Sequence, residues 1–182
     1  DLTGNFQLDL PAIKQEIWEH LKIIFICSPN NPTGNLINSE DIKILLDSFD
    51  GLLVVDEAYI DFCNATSWVN FLDRYDNLVV MRTFSKAWGL AGLRLGMAFA
   101  DKEIIKLLNK VKPPYNVNRA TQSLAMKAIK KAEYKDFMVQ QLLEERKILN
   151  LELSNLNIVE RVYPSDSNFL LVRFKNADRV YN

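Results

Sequence analysis

Lys86 follows two hydroxyl residues, Thr83 and Ser85, and Arg94 stands eight positions further on in the run Arg82-Thr-Phe-Ser-Lys-Ala-Trp-Gly-Leu-Ala-Gly-Leu-Arg-Leu-Gly96. An amine that condenses with carbonyls, two hydroxyl donors and a planar guanidinium suit a small aldehyde that carries a phosphate. The guanidinium fork binds two phosphate oxygens at once, and the hydroxyls donate to the same dianion. Pyridoxal phosphate is such a molecule, and its chemistry transforms amino acids. Lys86 would then hold the coenzyme as an imine. Once displaced by a substrate amine, it would act as the base that moves the α-proton.

Two other motifs carry polar groups of the right kind. Asp56-Glu-Ala-Tyr59 follows the apolar run Leu52-Leu-Val-Val55. An acid at the end of a buried strand needs a cationic partner, because an unpaired buried charge is very costly. A pyridinium nitrogen would serve, as would a helix N-terminus or a nearby arginine. A nucleotidase magnesium site has the same look, but it needs a Gly-x4-Gly-Lys-[Ser/Thr] loop, and no Gly-Lys pair occurs in these residues. The second motif is Asn31-Pro-Thr-Gly34, within Ser28-Pro-Asn-Asn-Pro-Thr-Gly34. Two prolines and a glycine fix it as a loop. Asn31 and Tyr59 offer an amide and a phenol, either of which can hydrogen-bond a coenzyme ring oxygen. A turn asparagine and a half-buried packing tyrosine are the bland alternatives.

These groups need strands to present them. Lys22–Cys27, Leu52–Val55, Asn77–Thr83 and Leu93–Ala100 read as strands, the second apolar enough to be covered on both faces. Helical spacing predicts helices over Pro11–Leu21, from Asn38 or Ser39 to Asp47, Asp101–Lys112, Asn118–Lys131 and Lys135–Leu153. Two short strands follow, Ile158–Val162 and Phe169–Phe174, and a helix-like segment opens at Ala177. Strand and helix alternate, so an α/β fold with a mostly parallel sheet is expected. In such sheets ligands gather at the carboxyl ends of strands, where all three polar motifs fall.

Bulk properties exclude other classes. The chain has 182 residues and a net charge of −1, which leaves no basic footprint for nucleic acid. Its longest apolar runs, such as Ile23–Cys27, are too short to span a membrane. Cys27 and Cys63 have no metal-ligand spacing and make no disulfide framework, so a reducing cytoplasm is the default and no metal is expected. His20 is the single histidine, which argues against histidine-based triads. Trp68, Phe71, Leu72 and Tyr75 read as core or interface, and Lys127, Lys130 and Lys131 as a solvated helix face.

Together, Asn31-Pro-Thr-Gly34, Asp56-Glu-Ala-Tyr59 and Ser85-Lys86 with Arg94 resemble the fold-type I pyridoxal-phosphate enzymes of the class I/II aminotransferase group. Pro114-Tyr-Asn-Val-Asn118 and Pro164-Ser-Asp-Ser-Asn-Phe169 bring the resemblance nearest to the branch acting on histidinol phosphate. The resemblance implies that Lys86 forms the coenzyme imine, Asp56 pairs with the pyridine nitrogen, Asn31 and Tyr59 contact the ring oxygen, and Thr83, Ser85 and Arg94 contact the phosphate. It implies exchange of an amino group between histidinol phosphate and 2-oxoglutarate, giving glutamate, within histidine biosynthesis by a homodimer. It further implies that residues 1–134 are the latter part of a large coenzyme-binding domain. Residues 135–182 would be an interdomain helix and the start of a small domain, and the chain alone would be inactive. A phosphothreonine-type decarboxylase on the same scaffold and a non-catalytic aminotransferase-like sensor or assembly domain are the alternatives.

Overall fold

The computed structural model describes residues 2–17 and 20–181. Four strands form the main sheet in the order β1 (Ile23–Cys27), β2 (Leu52–Asp56), β3 (Leu78–Thr83) and β4 (Gly96–Ala100). The first three run parallel, and β4 pairs antiparallel with β3. Register places Ile26 beside Val55 and Val55 beside Val80. Side chains alternate along a strand, so Ile24, Ile26, Leu53, Val55, Leu78 and Val80 share one face.

That face makes the core. Helix α2 (Ser39–Ser48) covers it with Ile42, Leu45 and Leu46, while Trp68 and Tyr75 close the cluster from the segment between β2 and β3. Asn38 caps α2 by accepting from the Glu40 N–H, and Glu40 and Asp41 lie in the first turn, where the helix dipole favours acids. The opposite face carries Phe25, 65% exposed, and Ile23, 45% exposed.

Helix α1 (Leu10–Glu16) is shorter than the Pro11–Leu21 segment predicted from spacing. Its C-cap Ile17 is extended, and the Ile17 side chain packs against the core cluster instead of continuing the helix. Trp18 and Glu19 of the predicted segment lie outside the described residues. Strand β4 begins at Gly96 rather than Leu93, because a 3-10 turn spans Ala91–Leu93 and Arg94 is left-handed at φ 50°. Helix α3 (Lys102–Val111) follows its Asp101 cap, and α4 (Arg119–Ile129) its Asn118 cap. The long helix α5 (Ala132–Ser154) starts one turn earlier than Lys135.

The hairpin of β5 (Val159–Val162) and β6 (Val172–Phe174) and the short α6 (Ala177–Tyr181) complete the chain. Phe169 was expected to open the last strand. It instead sets its ring edge-on to Tyr59, with centroids 5.2 Å apart. Among the described residues no helix is long and apolar enough to cross a membrane, and no cluster of metal-ligand side chains occurs.

Candidate active site

The parallel strands β1, β2 and β3 all end on one side of the sheet. Cys27 pairs in register with Asp56, and Asp56 with Met81, so Cys27, Asp56, Met81 and Thr83 fall on the same face. Asp56, Thr83, Ser85, Lys86 and Arg94 line one crevice there, of about 380 Å³, with Ala58, Met81, Arg82, Leu95 and Gly96. The Asp56 carboxylate accepts from the Ala58 N–H at 2.9 Å. Burial, then the Asp56 charge, pushes the neighbouring Cys27 thiol up in pKa, which keeps it a neutral neighbour of the acid.

Local hydrogen bonds shape the Thr83–Arg94 segment. The Thr83 hydroxyl accepts from the Ser85 N–H at 3.0 Å and lies 3.4 Å from the Leu95 carbonyl, to which it donates. Buried Phe84 bonds back to Leu95, and Gly89, with φ +65°, returns its N–H to the Lys86 carbonyl at 2.9 Å. The chain thus turns sharply after the strand and carries Lys86 and Arg94 to the crevice rim. Both side chains are exposed, and one Arg94 guanidinium nitrogen donates to the Ala91 carbonyl at 3.1 Å.

Asn31 and Tyr59 are not in the lining of that crevice but join it through Lys86. The Lys86 ammonium stands 5.0 Å from the Tyr59 ring centroid, a cation–π distance. The Tyr59 phenol in turn accepts from the Asn31 side-chain amide at 3.0 Å. All seven predicted site residues therefore belong to one contiguous set.

Three other groups support the site, and sequence reasoning missed them. Glu57 was read as part of a motif without a task of its own. It is 1% exposed. Its carboxylate accepts from the Ser67 hydroxyl and the Trp68 N–H, both at 2.6 Å, and from Arg82 at 3.0 Å. It thereby ties the end of β2 to β3 and to the 3-10 turn Trp68–Phe71. Ser165 and Asp166 belong to a motif that carries the resemblance, with no contact to the Asn31–Gly34 loop expected of them. The Asp166 N–H donates to the Gly34 carbonyl at 2.7 Å, and its carboxylate accepts from the Leu36 N–H at 2.9 Å. Gly34 has φ +81°, and a Cβ there would sit 2.6 Å from the Ser165 hydroxyl. The third group is Lys135. Its ammonium bonds Asp61 at 3.0 Å and Asp136 at 2.7 Å, and lies 5.4 Å from the Trp88 ring centroid. None of these contacts is open to a reading of the sequence, since Glu57 meets Arg82 only through the pairing of β2 with β3 and the other partners lie far apart along the chain.

The chain matches the family described as aminotransferase class I and II over residues 2–180. It is 52% identical over 181 residues to the histidinol-phosphate aminotransferase of Cytophaga hutchinsonii, covering 100% of this chain and 52% of that protein. It is 46% identical to the enzyme of the same name from Christiangramia forsetii, with the same coverage. The chain thus spans about half the length of the curated relatives it matches. Among solved structures, the histidinol-phosphate aminotransferase of Clostridium acetobutylicum superposes with a TM-score of 0.87 at 28% identity, over 96% of this chain and 54% of that one. The expected fold-type I architecture is that of these structures. With the motifs, the crevice and the match over nearly its whole length in agreement, the chain belongs to the class I and II aminotransferase family.

Proposed function

We propose that this chain is part of an enzyme that exchanges an amino group between histidinol phosphate and 2-oxoglutarate, using pyridoxal phosphate. One observation carries the reading: Lys86, Asp56, Thr83, Ser85 and Arg94 line a single crevice at the carboxyl ends of the parallel strands. That donor set fits the coenzyme by chemistry. A carboxylate suits the pyridine nitrogen, a guanidinium and two hydroxyls suit a phosphate dianion, and an amine suits an aldehyde. The substrate assignment is supported by the 52% identity to a protein named for it.

Bound there, pyridoxal phosphate supplies an aldehyde and an electron-withdrawing ring. The chain's own residues do the rest. Arg94, with the Ser85 hydroxyl and the Thr83 hydroxyl turned from the Leu95 carbonyl, would hold the phosphate and so fix the ring's position. The Asp56 carboxylate keeps a proton on the ring nitrogen, which strengthens electron withdrawal. Tyr59 and Asn31, already hydrogen-bonded to each other, would contact the ring oxygen as a pair. Lys86 Nζ would hold the coenzyme and would serve as the base that takes the substrate α-proton and returns it. Its place over the Tyr59 ring, 5.0 Å from the centroid, limits the positions open to the amine.

The same reading assigns residues 1–134 to the large coenzyme-binding domain, and residues 135–182 to an interdomain helix and the start of a small domain. A homodimer in the cytoplasm completes it. The placement is supported by two free cysteines, Cys27 exposed and Cys63 half-buried. The test uses the full-length protein, saturated with pyridoxal phosphate and reduced with borohydride. Peptide mapping is expected to find the label on Lys86, and turnover is expected with histidinol phosphate and 2-oxoglutarate. A label on another lysine, or none, overturns the site, and turnover confined to other amino donors overturns the substrate.

A further inference from the structure

The first turn of α5 packs against the segments that follow Tyr59 and Lys86. Lys135 is deeply placed for a lysine, with 15% of its side chain exposed. Its ammonium meets three groups at once. Asp61 lies two residues after Tyr59, in the 3-10 turn Ile60–Phe62. Trp88 lies two residues after Lys86, and its ring also packs on Phe84, at 5.4 Å between centroids. Asp136, on α5 itself, is the third. One helical turn further on, Val139 is 4% exposed and packs in a cluster with Tyr59, Phe62 and Ala87. Lys135 and Val139 share a helix face, so α5 bears on both coenzyme-facing segments through a polar contact and an apolar one.

Exposed ion pairs contribute little to stability and hold nothing in place. This one differs, because a mostly buried cation bonded to a carboxylate and seated against an aromatic face has few positions open to it. Burial pulls the Lys135 pKa down, yet hydrogen bonds and charge from Asp136 and Asp61 outweigh that and raise it, so the cation persists at neutral pH.

We propose that Lys135 is a positioning residue. It ties the turn after Tyr59 to the turn after Lys86 and thereby sets the distance between the phenol and the amine. The proposal rests on the reading of Lys86 as the coenzyme-bearing lysine. It does not make Lys135 a catalytic residue, since the ammonium acts only through Asp61 and Trp88.

The test compares Lys135→Met and Lys135→Arg in the full-length protein with coenzyme. Three readouts apply: kcat and KM for the amino donor, the dissociation constant of pyridoxal phosphate on reconstitution followed by visible absorption, and borohydride labelling of Lys86. Lys135→Met is expected to lose about tenfold in kcat and in coenzyme affinity, because small displacements of reacting groups have effects of that size. KM for the amino donor should stay within about twofold, since removing a positioning contact alters the transition state more than ground-state binding. Lys135→Arg keeps the charge and the aromatic contact and should restore most of the loss. Lys106→Met, whose ammonium pairs with Glu103 on an exposed face of α3, should change nothing.

Wild-type kcat and coenzyme affinity in Lys135→Met overturn the proposal, as does an arginine variant no better than the methionine one. Should Lys135→Met fail to fold, Asp61→Asn carries the test, and unchanged values there have the same force. Absence of label on Lys86 in the wild-type protein would sink the functional reading itself, which separates the two failures.

Discussion

Glu57 shows how much a single side chain can hold. Its carboxylate is shut from solvent and receives three donors, one of them the charged Arg82. Removing one partner of a buried ion pair leaves the other uncompensated. Glu57→Ala is expected to cost about 3–5 kcal/mol of stability, because Arg82 and the Trp68 N–H then lack their acceptor. Glu57→Gln keeps an acceptor for the N–H and should cost less, about 1–3 kcal/mol. Urea unfolding of the full-length variants measures both. Single residues were also the level at which the sequence was most readable. Lys86, Arg94, Thr83, Ser85 and Asp56 declare themselves by type, since an amine, a cation, two hydroxyls and an acid beside apolar strands have few joint uses. Glu57 did not, because an acid beside another acid in a motif gives no sign that it faces inward. Strand alternation settles that, and it turns Glu57 to the face opposite Asp56.

Among the elements, those with period and caps were legible. The cap of α2 is Asn38, one of its two candidates, and α3 and α4 are capped by Asp101 and Asn118, where those helices were expected to open. Each side chain accepts from a first-turn N–H, a local event that needs no distant partner. Elements whose ends depend on distant packing were less so. Ile17 leaves its helix for the core, Arg94 breaks the approach to β4, and Phe169 turns from its strand toward Tyr59. The loop Asn31–Gly34 combines both kinds of cause. Its residues mark a turn, but the Gly34 carbonyl accepts from the Asp166 N–H, and Ser165 fills the space a side chain at Gly34 would need. Gly34→Ala is expected to cost more than about 1 kcal/mol, because a side chain at φ +81° is strained and its Cβ has no space. Thermal unfolding reads that loss. A fall in coenzyme affinity should accompany it, since Asn31 rides on the same loop.

For the molecule as a whole, α5 joins the hairpin end of the chain to the sheet end, and Lys135 ties it to Asp61 and Trp88. The folded chain binds the Lys135 proton more tightly than the unfolded chain, whose ordinary value is 10.5. The contribution to stability is therefore complete below that value and is lost as pH rises through the higher folded one. The stability difference between wild type and Lys135→Met should stay level from about pH 7 to about pH 9, then shrink above about pH 10.5. Denaturant midpoints across that range test the sign, and a difference that grows with alkali contradicts it.

The Asp166 carboxylate and the Leu36 amide it receives are 130 positions apart in sequence. A ribosome adds about 5–20 residues per second, so on the order of ten seconds separates the making of the two partners. Until Asp166 is made, the Asn-Pro-Thr-Gly segment lacks this brace. Lys86 is made well before Asp166, so the brace on the loop that carries Asn31 forms only after the lysine is already in the chain.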